Sequence, residues 1–122
     1  MHNCADMQLL DIEIDKFKAL SDSTRLRILT LLVLNDETCV CHLAESLNEA
    51  DFKVSRHLGI LKRAGLVESR RDGTWIYYKC SKENKQFLSF FKKYIKGMLV
   101  DHKILESDHI NLSKIKFKLG SC

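Results

Sequence analysis

Two periods of apolar residues alternate along the chain, and the places where they change mark its elements. In "MQLLDIEIDKFKAL", residues 7–20, Leu10, Ile14, Phe17 and Leu20 fall three or four residues apart, which is one face of a helix. "SDSTRLRILTLLVL" follows, with Ser21 or Asp22 placed to accept from the orphan amides of a second helix, whose Ile28, Leu29 and Leu32 predict a core element. Asn35, Asp36 and Thr38 interrupt the pattern, and Val40, Leu43 and Leu47 then predict a short third helix. The polar "NEAD" at 48–51 predicts a tight connection. "FKVSRHLGILKRAG" predicts a fourth helix with Val54, Leu58 and Leu61 inward and Gly65 as its C-terminal stop. Two short helices joined by about four residues form a helix-turn-helix pattern.

After Gly65 the period changes to two. "LVESRR" and "TWIYYK" predict strands that meet at Asp72-Gly73, a dipeptide able to supply the positive φ angles of a tight hairpin. "NKQFLSFFKKYIKGMLV" returns to helical spacing, with Phe87, Phe90 or Phe91, Tyr94, Ile95, Met98 and Leu99 making a stripe too apolar to face water. The similarly striped first helix is its natural partner. The predicted class is mainly α with a small β-hairpin, a winged helix-turn-helix over residues 1–102 with dimerisation helices at both ends. Residues 103–122 are mixed and weakly amphipathic in "INLSKIKFKL", and are assigned no structure.

Composition narrows the function. With 122 residues, no proline, 45% hydrophobic and 30% charged positions, the chain suits one packed domain. No run approaches the roughly 18 apolar residues of a membrane span, and "MHNCADMQLL" lacks the pattern of a signal peptide, so a cytoplasmic protein is expected. The five cysteines, Cys4, Cys39, Cys41, Cys80 and Cys122, are odd in number and expected to be reduced there, which leaves metal binding, redox chemistry or packing as their roles. Between Lys53 and Lys79 lie seven basic and two acidic side chains, a surplus larger than the +4 of the whole chain. Such a stripe suits a phosphate-lined partner.

The order of elements, together with "ALSDSTRLRILTLL" (19–32), "CVCHLAESL" (39–47) and "KVSRHLGILKRAGLVESRRDGTWIYYKC" (53–80), resembles the winged-helix metalloregulatory repressors of the ArsR/SmtB family over residues 7–100. The resemblance implies a homodimer that binds double-stranded operator DNA and releases it when a toxic metal or metalloid binds. It implies no enzyme, and the C-x-C pair lacks the βαβ setting of a thioredoxin-like oxidoreductase.

In a helix-turn-helix the second helix reads the major groove through its N-terminal residues, and the wing reaches phosphates. Lys53, Ser55, Arg56 and His57 are therefore the expected reading set, with Arg70, Arg71 and Thr74 flanking the hairpin tip. An inverted-repeat operator would match the two-fold symmetry of a dimer. The family's C-V-C pair at the start of the third helix binds soft ions, and here it is Cys39 and Cys41. Thiolates suit such ions, and a helix N-terminus favours the thiolate form. Residues i and i+2 of a regular helix point about 200° apart, so both sulfurs grip one ion only where the first turn is irregular.

The resemblance points to the branch responsive to As(III) and Sb(III), yet that branch often continues C-V-C-D-L-C, whereas this chain has His42, Leu43 and Ala44 after Cys41. A third sulfur would come from Cys4, then Cys122, then Cys80. His42 is a candidate nitrogen ligand but, adjacent to a ligand on a helix, is expected to point to solvent. A Cd(II)-, Pb(II)- or Zn(II)-responsive repressor is the alternative, with a thiol redox or persulfide sensor beside it. A last-helix zinc site is disfavoured: Asp101 and His102 form half of its pattern, and Ser89 stands where the other half would lie.

Overall fold

The computed structural model describes residues 4–119, and the side chains of 6–117. Its elements run α1 (Cys4–Leu20), α2 (Ser23–Leu34), β1 (Thr38–Cys39), α3 (Val40–Leu47), α4 (Asp51–Arg63), β2 (Val67–Asp72), β3 (Trp75–Cys80), α5 (Lys85–Met98) and α6 (Lys103–Leu119). Helix α2 is the hub. Asp22 caps it by accepting from the Arg25 amide at 3.0 Å, and Ile28, Leu29, Leu31 and Leu32 are buried within the core cluster. Val54, Leu58 and Leu61 of α4 and Leu43 and Leu47 of α3 close over it, as their spacing predicts.

The turn between α3 and α4 begins at Asn48, whose φ of 56° lies in the left-handed region that asparagine tolerates better than most residues. Its amide reaches back to the carbonyls of Ala44 and Glu45, which ends α3. After α4, Gly65 has φ +79°, and a Cβ there would stand 2.9 Å from the Asn84 amide nitrogen. That nitrogen donates to the Gly65 carbonyl at 2.6 Å, tying the end of the recognition helix to the start of α5.

The wing departs from expectation in two ways. Asp72 pairs with Trp75, so the loop is Gly73-Thr74, with positive φ at Gly73 alone, the pattern of a type II′ turn rather than one centred on Asp72-Gly73. The sheet also has three strands in the order β1-β3-β2, because Thr38 and Cys39 pair with Tyr78 and Tyr77. A two-residue strand leaves no alternation to read in sequence.

Helix α6 covers the region left without an assignment. It lies on α2 and α3, burying Leu105 and Leu112, with Asp108 between them. Arg27 grips Asp108 from two nitrogens at 2.8 and 2.9 Å and donates to the Leu47 carbonyl at 3.0 Å, while Asn111 donates to the Ser46 carbonyl at 3.2 Å. The buried face of α6 is thus partly polar, which its hydropathy pattern could not reveal. Helices α1 and α5 meet through an edge-to-face contact of Phe17 and Phe87, and leave Leu10, Ile14, Phe90 and Tyr94 facing outward.

Candidate nucleic-acid interface and thiol site

Helix α4 and the wing present most of the basic stripe. Arg56, Lys62, Arg63 and Arg71 are exposed, and Lys53 and Ser55 are partly so. Lys53 forms an ion pair with Glu49 of the preceding turn at 3.1 Å, a partly exposed pair of the kind worth ~0.2–1 kcal/mol and so easily exchanged for a phosphate. Thr74 is exposed at the wing tip. Arg70 is engaged within the domain: it pairs with Glu37 at 2.6 Å and lies over the Tyr77 ring, 4.4 Å from its centre.

His57 is buried, unlike its neighbour Arg56. Arg25 donates to its Nδ1 at 3.2 Å, and the Asp22 carboxylate lies 3.8 Å from the same atom. Burial holds the imidazole below its ordinary pKa, against the opposing pull of Asp22. The structure thus places His57 where it fixes α4 against the start of α2. Sequence spacing missed Asp22 and Arg25 as supports of the recognition helix because they lie more than thirty residues away in the chain.

The two thiols meet at the junction of sheet and helix. Cys39 is extended, with φ −76° and ψ 154°, and is both the last residue of β1 and the N-cap of α3; Cys41 lies in the first turn. That break in helical geometry brings the sulfurs together at 3.0 Å, where a regular helix would have turned them apart. Among the described residues, Cys39, Cys41 and His42 form a group whose ligand atoms all lie within 4.8 Å of one another.

His42 corrects an expectation. It is only 6% exposed, packed beneath α6 rather than turned to solvent, and burial holds its pKa below the ordinary value. Cys80 is not brought to the pair. Tyr77 is the residue opposite Cys39, and Cys80 lies three residues further along β3, about 10 Å away at strand rise. Its thiol is pushed up to about 11 by burial. Cys4 begins α1, with its side chain outside the described set, and Cys122 lies outside the described residues. A cleft of about 390 Å³ opens between the start of α4 and the wing tip, and both thiol residues line it.

Comparison with known proteins agrees with this arrangement. The family described as "Bacterial regulatory protein, arsR family" matches residues 22–69, from the cap of α2 into β2. The arsenic resistance transcriptional regulator ArsR1 of Pseudomonas putida is 35% identical over 100 residues, covering 81% of this chain and 76% of that protein. The chain belongs to the ArsR family. Its members and relatives are DNA-binding transcriptional regulators rather than enzymes. The ArsR-family chain also matches the cadmium resistance regulatory protein CadC of Listeria innocua, at 45% identity over 62 residues, 51% of this chain and 52% of that one. Among solved structures, the homodimeric winged helix-turn-helix DNA-binding domain of a Mycobacterium bovis protein superposes with a TM-score of 0.68 at 31% identity, covering 83% of this chain and 94% of that one.

Proposed function

We propose that this ArsR-family regulator is a cytoplasmic repressor that binds an inverted-repeat operator as a homodimer and releases it when As(III) or Sb(III) is bound by Cys39 and Cys41. The observation that carries the reading is the 3.0 Å approach of two sulfurs at the N-cap of α3, the leading helix of the DNA-reading pair. The relatives named for arsenic resistance support it. Lys53, Ser55, Arg56, Arg71 and Thr74 contact DNA; Arg70 joins them when it exchanges Glu37 for phosphate, and His57 holds α4 in place. The outward apolar residues of α1 and α5 form the dimer interface, which sets two recognition helices about 34 Å apart. Cys4 remains the leading candidate for a third sulfur, ahead of Cys122 and Cys80.

A second reading, a sensor of Cd(II), Pb(II) or Zn(II), is favoured by one observation, the imidazole of His42 beside the thiols. Two thiolates and a neutral imidazole suit borderline and soft divalent ions. Native mass spectrometry of reduced protein offered arsenite, antimonite, cadmium and zinc separates the two. Cys39→Ser and Cys41→Ser should each still bind operator and fail to release it with the ion that the parent selects. Release by the double variant at the parent's inducer concentration would refute the site. Release by oxidant or persulfide, with no ion bound, would mark the thiol redox sensor instead.

A further inference from the structure

Helix α4 turns Val54, Leu58 and Leu61 into the core, and the residues on its opposite side form one ridge: Phe52, Arg56, Gly59 and Arg63, at spacings of four, three and four. Two of them are out of place on a merely solvated helix. Phe52, in the first turn, is 77% exposed, and a phenyl ring left in water forgoes the burial that is its main contribution to a fold. Gly59 lies inside the helix without a positive φ, and a Cβ built on it would meet none of the described residues within 4 Å apart from its own turn of helix. Glycine weakens a helix interior relative to alanine, and neither backbone strain nor crowding within the domain calls for it at this position. The remaining reason is close approach from outside.

The exposed Arg56 and Arg63 share the ridge with Phe52, and Lys53 and Lys62 lie to its sides, so the approaching surface is a polyanion with an apolar group set between its charges. The DNA major groove is such a surface, because thymine presents its C5 methyl there between two phosphate walls. Asp51, the acidic residue of the first turn, is set about 100° round the helix axis from Phe52. We propose that α4 seats this ridge against the base edges, with Gly59 giving the backbone its clearance and Phe52 reading the C5 methyl of one thymine in each operator half-site. Arg56 lies ~6 Å further along the axis, against a base-pair step of ~3.4 Å, so the thymine falls within about two base pairs of the base that Arg56 contacts, for which its fork favours guanine. The inference deepens the proposed DNA-binding role of α4 and rests on it. It does not involve the thiols or any inducer.

Selection from randomised double-stranded DNA by the reduced full-length protein gives the preferred site. Deoxyuridine then replaces each thymine in turn, which removes the C5 methyl and keeps the base pair, and affinity is read by fluorescence anisotropy at fixed salt. At one thymine per half-site, loss of one buried methyl should weaken the parent about fourfold, and about fifteenfold when both half-sites are changed. Phe52→Ala should bind the thymine and deoxyuridine sites alike, and in its own selection that position should become degenerate. The exposure of the ring keeps this variant folded. Gly59→Ala should raise Tm by about 3 °C, because alanine favours the helix, and yet weaken binding to both sites. A parent indifferent to deoxyuridine at every position, a penalty that survives Phe52→Ala, or a Gly59→Ala variant that binds as the parent does overturns the proposal. An Arg56→Ala variant with the parent's affinity is a separate failure, since it removes α4 as the reading element altogether.

Discussion

Replacing Asp108 with alanine tests whether α6 is part of the regulator's fold or an appendage. The carboxylate is buried and accepts from two nitrogens of Arg27, whose side chain is itself mostly covered. Alanine removes both acceptors and leaves the guanidinium with the Leu47 carbonyl. Breaking a buried pair in this one-sided way costs ~3–5 kcal/mol. The loss has a ceiling, because α6 can undock and return Arg27 to water. What holds α6 otherwise is mainly Leu105 and Leu112, each worth ~1.5–3 kcal/mol when fully buried. The two magnitudes are similar, so the expected outcome is a loss of about 3 kcal/mol with α6 released while the winged core persists.

For a chain of this length, 1 kcal/mol corresponds to ~4 °C in Tm, so a fall of about 12 °C is expected at fixed protomer concentration. Hydrogen exchange should show α6 amides losing protection ahead of those of α2. Asp108→Asn keeps one acceptor and should cost less. An Arg27→Met, Asp108→Leu double variant should recover most of the stability, since a well-packed apolar pair replaces a buried ion pair with little penalty. A shift under ~4 °C for Asp108→Ala, or a double variant no better than the single one, would refute the reasoning.

Three further outcomes follow from the same geometry. Operator affinity should fall steeply with salt, and Arg56→Ala should weaken binding and lower the log–log salt slope by about one, as measured by fluorescence anisotropy across ionic strengths. Leu10→Glu or Phe90→Glu, on outward apolar positions of α1 and α5, should yield monomers in sedimentation without loss of helical content; a persistent dimer would move the interface elsewhere. Because burial depresses the His57 pKa in the folded state, the unfolded chain binds its proton more readily: stability is fully present above the ordinary value of 6.5 and is lost as pH falls through the lower folded value. His57→Gln should flatten that part of a urea-unfolding profile against pH.

The elements legible in sequence were those whose burial is apolar and periodic. Val54, Leu58 and Leu61 mark the inner face of α4, and Asp22 marks the start of α2, through local rules that need no tertiary partner. The thiol pair was legible as a motif, but not the reason its sulfurs meet: the pairing of Cys39 with Tyr77 in a two-residue strand straightens the chain just before α3. His42 was misjudged for the same kind of reason, since its cover is α6, and α6 was hidden because the buried Asp108 and the half-buried Asn111 are held by hydrogen bonds to Arg27 and Ser46 rather than by hydropathy. His57 read as a surface residue because its partners Asp22 and Arg25 belong to another helix.

The anchoring of α3 at both ends decides how a ligand at its N-terminus can act. Ligands of a tetrahedral zinc–thiolate site with bonds of ~2.3 Å stand ~3.8 Å apart, so sulfurs at 3.0 Å must separate by just under 1 Å to enclose such an ion. If α3 swung freely, that shift at one end of a helix ~12 Å long would rotate it by ~4° and displace α4. The far end, however, is held by Arg27 on the Leu47 carbonyl and Asn111 on that of Ser46. The compliant direction is the other one, through Cys39 into its pairing with Tyr77 and through Glu37 to Arg70 on the wing. Loading should therefore alter hydrogen exchange first in β2 and β3 and leave α4 protected, whereas in Asp108→Ala, with the far end loosened, α4 should respond as well. Equal loss of protection in α4 and the wing of the parent would show that α6 does not hold α3 fast.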